Sequence, residues 1–270
     1  MLESPFHPYD NLLICLFHRL RLHNEGEPHD ILRSWIKRVK EERDTVVTTN
    51  YDNVIEWTLA FIGTGEYPRE GYDALSRDAL HWIDYGIPQE WQVSRPDVDR
   101  WATPPNRCLP LLKLHGSIGW SHCRSCNLYS LDEIFDYAAE HAITSFGSCV
   151  NCRESKNRVP VLVPPVVEKR YDDRAIEQVW VRAEKELREA REIIFSGFSL
   201  NPVDLRVREL LMANRRPDRV VLVSPNPGPL ESRYREIYGD LVEARRQSWK
   251  EYLLDQFGTE LGRGASSGVG

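Results

Sequence analysis

The sequence predicts an α/β protein built on a doubly wound, mostly parallel sheet, with a small insert that carries four cysteines. Three observations predict it. Short apolar or β-branched runs, TVVTTN, LLKLHG, VPVLVPP, EIIFSG and DRVVLVSPNP, alternate with stretches of helical periodicity. Nearly all-apolar strands are what burial on both faces of a parallel sheet demands. The conspicuous polar clusters fall at the carboxyl ends of these runs, where an open α/β sheet places its ligands. Finally, Cys123, Cys126, Cys149 and Cys152 form the pattern C-x2-C-x22-C-x2-C, which sets them apart as a module.

The elements follow in order. Leu12, Leu13, Leu16, Phe17 and Leu20 recur at helical spacing between Pro8 and Leu22, and a second amphipathic helix is expected over Asp30 to Arg43. TVVTTN is a buried strand, after which Asp52 is placed to start the helix NVIEWTLAFIG. Residues 63–107 show no sustained period and are rich in Trp, Tyr, Pro and Gly, so an irregular segment is expected. Burial of Trp82, Trp91 and Trp101 against the sheet is favoured over stacking on a ligand ring. LLKLHG is the next strand and ends at His115-Gly116. The cysteine module holds one helix, from about Leu131 to Glu140. VPVLVPP is a strand stopped by its double proline, followed by a helix over Asp173 to Ala190. EIIFSG is a fourth strand, and SLNPVDLRVRELLMAN turns into a helix with Asn201 or Ser199 as cap. DRVVLVSPNP is a fifth strand, with a helical stretch around Arg233 to Tyr238. The tail GRGASSGVG is Gly/Ser-rich and expected to be disordered. The boundaries drawn are 1–120 with 154–258 for the sheet domain, 121–153 for the cysteine module and 259–270 for the tail.

At 270 residues with 41% apolar side chains, the chain can bury a sizeable core. Its longest apolar stretches, such as LLICLF, are too short to span a bilayer, and no signal-peptide pattern opens it. A cytoplasmic protein with no membrane partner is therefore expected. The formal charge of −6 disfavours general nucleic-acid binding, which needs a basic face. Cysteines grouped for a metal agree with a reducing compartment. Cys15 and Cys108 read as small buried or partly buried residues.

Two C-x-x-C knuckles offer four thiolates at the vertices of a tetrahedron, which closes the coordination of Zn2+ and makes the metal structural. The polar clusters at strand ends are Thr48-Thr49-Asn50-Tyr51-Asp52, His115-Gly116-Ser117, Ser196-Gly197-Phe198-Ser199 and Ser224-Pro225-Asn226. Gly197 before Ser199 and a helix start suits a phosphate or a ribose. Asn50 and Asp52 also suit a turn and an N-cap, and His115 a satisfied histidine at a strand end. Their joint placement favours a ligand site.

With TTNYD at 48 to 52, KLHG at 113 to 116, the cysteines from 123 to 152, GFSL at 197 to 200 and VLVSPNP at 221 to 227 in this order, the chain resembles the sirtuin superfamily, in particular its bacterial SIR2-like branch. The resemblance covers the chain from about Thr45 to Asn226. It implies a Rossmann-like domain and a site for nicotinamide adenine dinucleotide (NAD). Asn50 and His115 would be the catalytic residues at the nicotinamide ribose, and Thr49 and Asp52 would lie on the same side of the cofactor. Gly197 and Ser199 would face phosphate or adenine ribose, and Ser224 and Asn226 the adenosine end.

The sequence also departs from the family pattern. No Gly-Ala-Gly-x-Ser element precedes TTNYD, and only Gly26 stands before position 63, so the usual diphosphate cradle and its strand are missing from these residues. An incomplete version of the fold, or a site without that contact, would each account for it. Deacylating sirtuins pair an acyl-lysine peptide with the segment after the zinc module. Here that place reads VPVLVPPVVEK, and Pro160, Pro164 and Pro165 remove donors that strand addition uses. Thr49 and Tyr51 stand where sirtuins carry glutamine and isoleucine. The favoured function is therefore NAD+ hydrolysis at the nicotinamide-ribose bond, in a bacterial defence or stress setting as the branch implies. Protein-lysine deacylation and an inactive binding or scaffold module are the alternatives, and a protein partner or homo-oligomer is left open.

Overall fold

A computed structural model of the 270-residue chain describes residues 30–56, 58–59, 83–93, 108–131, 149, 151–153, 158–163, 171–202, 204–213 and 217–264, the side chains of 30 and 257–264 excepted. The helix expected at Pro8 to Leu22, that expected at Leu131 to Glu140 apart from Leu131 itself, and Cys15, Gly26, Trp82, Trp101, Pro164 and Pro165 lie outside the described residues. The chain divides into two compact units: Met1–Pro28 with Ile36–Trp180, and His29–Trp35 with Val181–Gly270. Helix α1 (Asp30–Glu42) contributes to both.

In the first unit, strands β1 (Val46–Thr48), β2 (Ile83–Asp84) and β3 (Leu109–Lys113) form a parallel sheet in the order β1-β3-β2. Val46 lies opposite Leu111 and Thr48 opposite Lys113, so TTNYD and LHG leave the sheet side by side. Leu109, Leu111 and Leu112 are fully buried, as a central parallel strand requires. Strands β4 (Gly116–Cys123), β5 (Leu128–Ser130) and β6 (Arg158–Leu162) form an antiparallel sheet in the order β5-β4-β6. The strand expected at VPVLVPP is thus found, but it joins this antiparallel sheet and not the parallel one. Pro160 pairs with Ser121 from an edge strand, where a residue without an N–H is tolerated.

The second unit carries the parallel sheet β7-β8-β9, from β7 (Glu192–Ser196), β8 (Arg219–Ser224) and β9 (Val242–Arg246). Helix α2 (Arg174–Glu189) leads into β7, α3 (Leu205–Ala213) connects β7 to β8, and α4 (Gly228–Tyr238) connects β8 to β9. The helix expected after SLNP starts only at Leu205, after a turn in which Asp204 N–H donates to Asn201 O. Helix α5 (Trp249–Gly264) follows β9 and runs past the boundary drawn at 258. Ile31, Val221, Val223, Tyr252 and Leu253 pack together, with Trp35 and Trp249 against them. Burying a side chain of this size contributes about 1.5–3 kcal/mol. Among the described residues no helix is long and apolar enough to cross a membrane.

Candidate functional site

The first unit brings together the polar residues of TTNYD and KLHGS. Two backbone hydrogen bonds pin the segments: Leu114 N–H donates to Thr48 O (2.9 Å) and Ile118 N–H to Tyr51 O (3.0 Å). Thr49 and Asn50 lie between the pins on one segment, His115 on the other. Asn50 is exposed, and its N–H donates to Thr48 Oγ1 at 3.0 Å. Asp52 caps the helical residues that follow, accepting Val54 N–H at 3.2 Å.

His115 is 3% exposed. Its ring packs against Tyr51, with centroids 6.0 Å apart and 29° between planes, and against Tyr171 at 6.1 Å. The Tyr171 hydroxyl is 3.5 Å from Nε2. The neighbouring carbonyls are also occupied. Trp180 Nε1–H donates to Leu114 O (2.8 Å), Val163 N–H to His115 O (2.9 Å), and the Tyr51 hydroxyl to Val163 O (2.5 Å). Gly116 is obligatory: its φ is +76°, and a Cβ there would lie 2.1 Å from Val161 O.

Beneath this surface sits a group that the sequence reading missed. Lys113 and Glu56 form an ion pair of 2.6 Å with side chains 1% and 2% exposed. The Lys113 ammonium also reaches Asp52 O, Asn53 Oδ1 (3.1 Å) and Ser117 Oγ (2.9 Å). The Ser117 hydroxyl donates to Asn53 Oδ1 at 2.7 Å, and the Tyr85 hydroxyl to Glu56 Oε1 at 3.3 Å.

The four cysteines meet. Their sulfurs lie within 4.8 Å of one another, with Cys123–Cys152 and Cys126–Cys149 each at 3.6 Å. A ZnS4 tetrahedron with Zn–S of about 2.3 Å has edges of about 3.8 Å, so the cluster could hold zinc. The knuckles match. Asn127 and Arg153, each next after a second cysteine, have φ of 61° and 64°. Their N–H groups return to Cys123 O (2.7 Å) and Cys149 O (2.8 Å). Burial pushes the Cys149 thiol up to about 12. At Cys123 burial acts the same way, but the amides of Cys126 and Ser125 together with the Cys152 and Cys126 thiols outweigh it and bring the thiol down to about 7. The first knuckle is braced by Tyr129, which stacks on His122 at 4.5 Å, and by Arg174, whose guanidinium lies 4.5 Å over Trp91 and donates to Asn127 O.

In the second unit, Gly197 is exposed with φ +67° and open space where a Cβ would stand. The Tyr234 hydroxyl donates to Phe198 O (2.8 Å) and Arg233 to Ser199 O (2.9 Å). Asn226 N–H donates to Ser224 Oγ at 3.2 Å. The candidate cofactor residues thus divide by unit: Asn50, Thr49, Asp52 and His115 in the first, and Gly197, Ser199, Ser224 and Asn226 in the second.

The family model for the SIR2-like domain matches residues 44–254. The chain belongs to the SIR2-like family. The residues this SIR2-like domain spans run from just before β1 into α5, and include both polar strand-end segments and the cysteine cluster. No curated protein matches the sequence. Among solved structures the chain is similar to a mutant Sir2 homologue in complex with ADP-ribose (14% identity, 99% of this chain and 82% of that chain, TM-score 0.48). It is also similar to a Sir2 homologue–NAD complex (16% identity, 98% of this chain and 81% of that chain, TM-score 0.45). A third likeness is to Sir2Tm bound to a propionylated peptide (13% identity, 96% of this chain and 87% of that chain, TM-score 0.45).

Proposed function

We propose that this SIR2-like protein hydrolyses NAD+ at the bond between nicotinamide and ribose, in a bacterial defence setting. The observation that carries the reading is the pairing of an exposed Asn50 with a buried His115 on two segments pinned together at Thr48 and Tyr51. Cleavage develops positive charge at the ribose C1′. Water adds there, nicotinamide leaves with the bonding pair, and one proton is released with ADP-ribose. Asn50 orients the water or a ribose hydroxyl, and His115 accepts the proton. Thr49 and Asp52 support that end of the dinucleotide. Gly197, Ser199, Ser224 and Asn226 supply donors for its phosphate, ribose and adenosine groups. Deacylation is less supported, because Pro160 removes a donor from β6.

The test is nicotinamide release from NAD+. The wild type should turn over, and His115→Ala should lose on the order of 100-fold or more. No release by the wild type would defeat the reading.

The cysteine cluster is assigned to structural zinc. The purified protein should carry one zinc per chain, and a chelator should lower its melting temperature. Folded protein without metal would defeat this assignment.

A further inference from the structure

Lys113 stands two residues before His115 and Ser117 two residues after it, while Asp52 and Asn53 lie two and three residues after Asn50 in the chain. One buried ammonium therefore joins both segments that carry the proposed catalytic pair. An ammonium has three protons, and this one faces four acceptors: Asp52 O, Asn53 Oδ1, Glu56 Oε1 and Ser117 Oγ. The Ser117 hydroxyl gives its own proton to Asn53 Oδ1. Asn53 Oδ1 thus accepts from two donors, which orients the amide and leaves its Nδ2 buried without a partner. That is a costly arrangement for stability alone. A well-packed apolar pair commonly replaces a buried ion pair without loss.

We propose that Lys113 is a positioning residue: through Asp52, Asn53 and Ser117 it holds the Asn50 segment in register with the His115 segment. The inference rests on the proposed hydrolase reading for its effect on turnover, but the register it sets is a property of the protein without substrate. Glu56 compensates the charge, and Ser117 carries the link across to the strand that follows His115.

The experiment compares wild type, the double variant Lys113→Met with Glu56→Leu, and the milder Ser117→Ala. Amide hydrogen exchange is read at Ile118, which donates to Tyr51 O, and at Val221 in the second unit as control. The double variant should keep a melting temperature close to wild type, yet exchange at Ile118 on the order of tenfold faster, with Val221 unchanged. Its kcat for nicotinamide release should fall on the order of 100-fold, because a misplacement of about 1 Å has that effect. Ser117→Ala should shift both readouts in the same direction by less. Unchanged exchange at Ile118 in Ser117→Ala and in any folded double variant would overturn the proposal. So would a double variant that regains both stability and wild-type kcat. A wild type that releases no nicotinamide would defeat the hydrolase reading alone, because the exchange comparison still decides the role of Lys113.

Discussion

The two compact units hold the ends of their parallel strands by opposite means. In the first unit, the residues after β1 and β3 are tied together by buried polar groups, and His115 packs against two tyrosine rings. In the second unit, Gly197 and Ser199 after β7 and Pro225 and Asn226 after β8 are exposed, and α4 holds the segment after β7 through the carbonyls of Phe198 and Ser199, from Tyr234 and Arg233. The difference teaches a division of labour. The first arrangement holds the His115 segment in place, as the proposed proton transfer requires. The second leaves the space beside Gly197 unfilled, as the proposed cofactor contact needs.

Two glycines give the largest test of this contrast. Both have positive φ, but Gly116 is crowded and Gly197 is open. Gly116→Ala should cost about 2–5 kcal/mol, from left-handed strain together with overpacking. Gly197→Ala should cost about 1–2 kcal/mol, from strain alone. Urea unfolding of the two variants measures the gap, and equal losses would break the comparison.

Two tyrosines sharpen it at a smaller scale. Tyr51→Phe and Tyr234→Phe each remove a hydroxyl from a carbonyl, Val163 O and Phe198 O. Each should cost about 1–2 kcal/mol. Only Tyr51→Phe should also lower nicotinamide release, because its hydroxyl anchors Val163, whose N–H donates to His115 O.

The smallest effect is in alkali. Burial, aided by Asp173, pushes the Tyr129 hydroxyl up from 10.0 to about 12, and burial likewise raises Tyr234. Above pH 10 the unfolded chain therefore loses these protons while the folded protein keeps them, so stability present below pH 10 falls as pH rises towards the folded values. For Tyr129 the loss should stay below about 1 kcal/mol up to about pH 10.5. Unfolding of Tyr129→Phe across this range should give a flatter profile.

Much of the first unit was legible because its signals are local. TVVTTN is β-branched, Asp52 is a short acceptor at a helix start, and the C-x2-C spacing brings thiols together. The Lys113–Glu56 pair had a signal that went unread: a lysine inside the apolar run LLKLHG cannot stay buried without a partner, and Glu56 in NVIEWTLA offers one. Strand β4 was hidden because GSIGWSHC contains two glycines and polar residues. Its burial on nearly all positions comes from the long-range pairing with β5 and β6. Strand β9, VEARR, has no apolar alternation because only its first residue is fully buried. Helix α5 also went unread, although its start carries a signal. Ser248 and Glu251 form a reciprocal capping box, with Ser248 N–H to Glu251 Oε2 at 2.7 Å and Glu251 N–H to Ser248 Oγ at 3.2 Å.

The two cysteine knuckles share one turn geometry but not one support. Cys123 is the last residue of β4, and β5 begins two residues after Cys126, so the first knuckle is the tip of a hairpin. Cys149 and Cys152 have no strand directly flanking them among the described residues. An incoming ion would thus meet four sulfurs already gathered, one pair held by the sheet and the other by its own turn. Withdrawal of the ion should therefore loosen the Cys149–Cys152 turn before the Cys123–Cys126 turn.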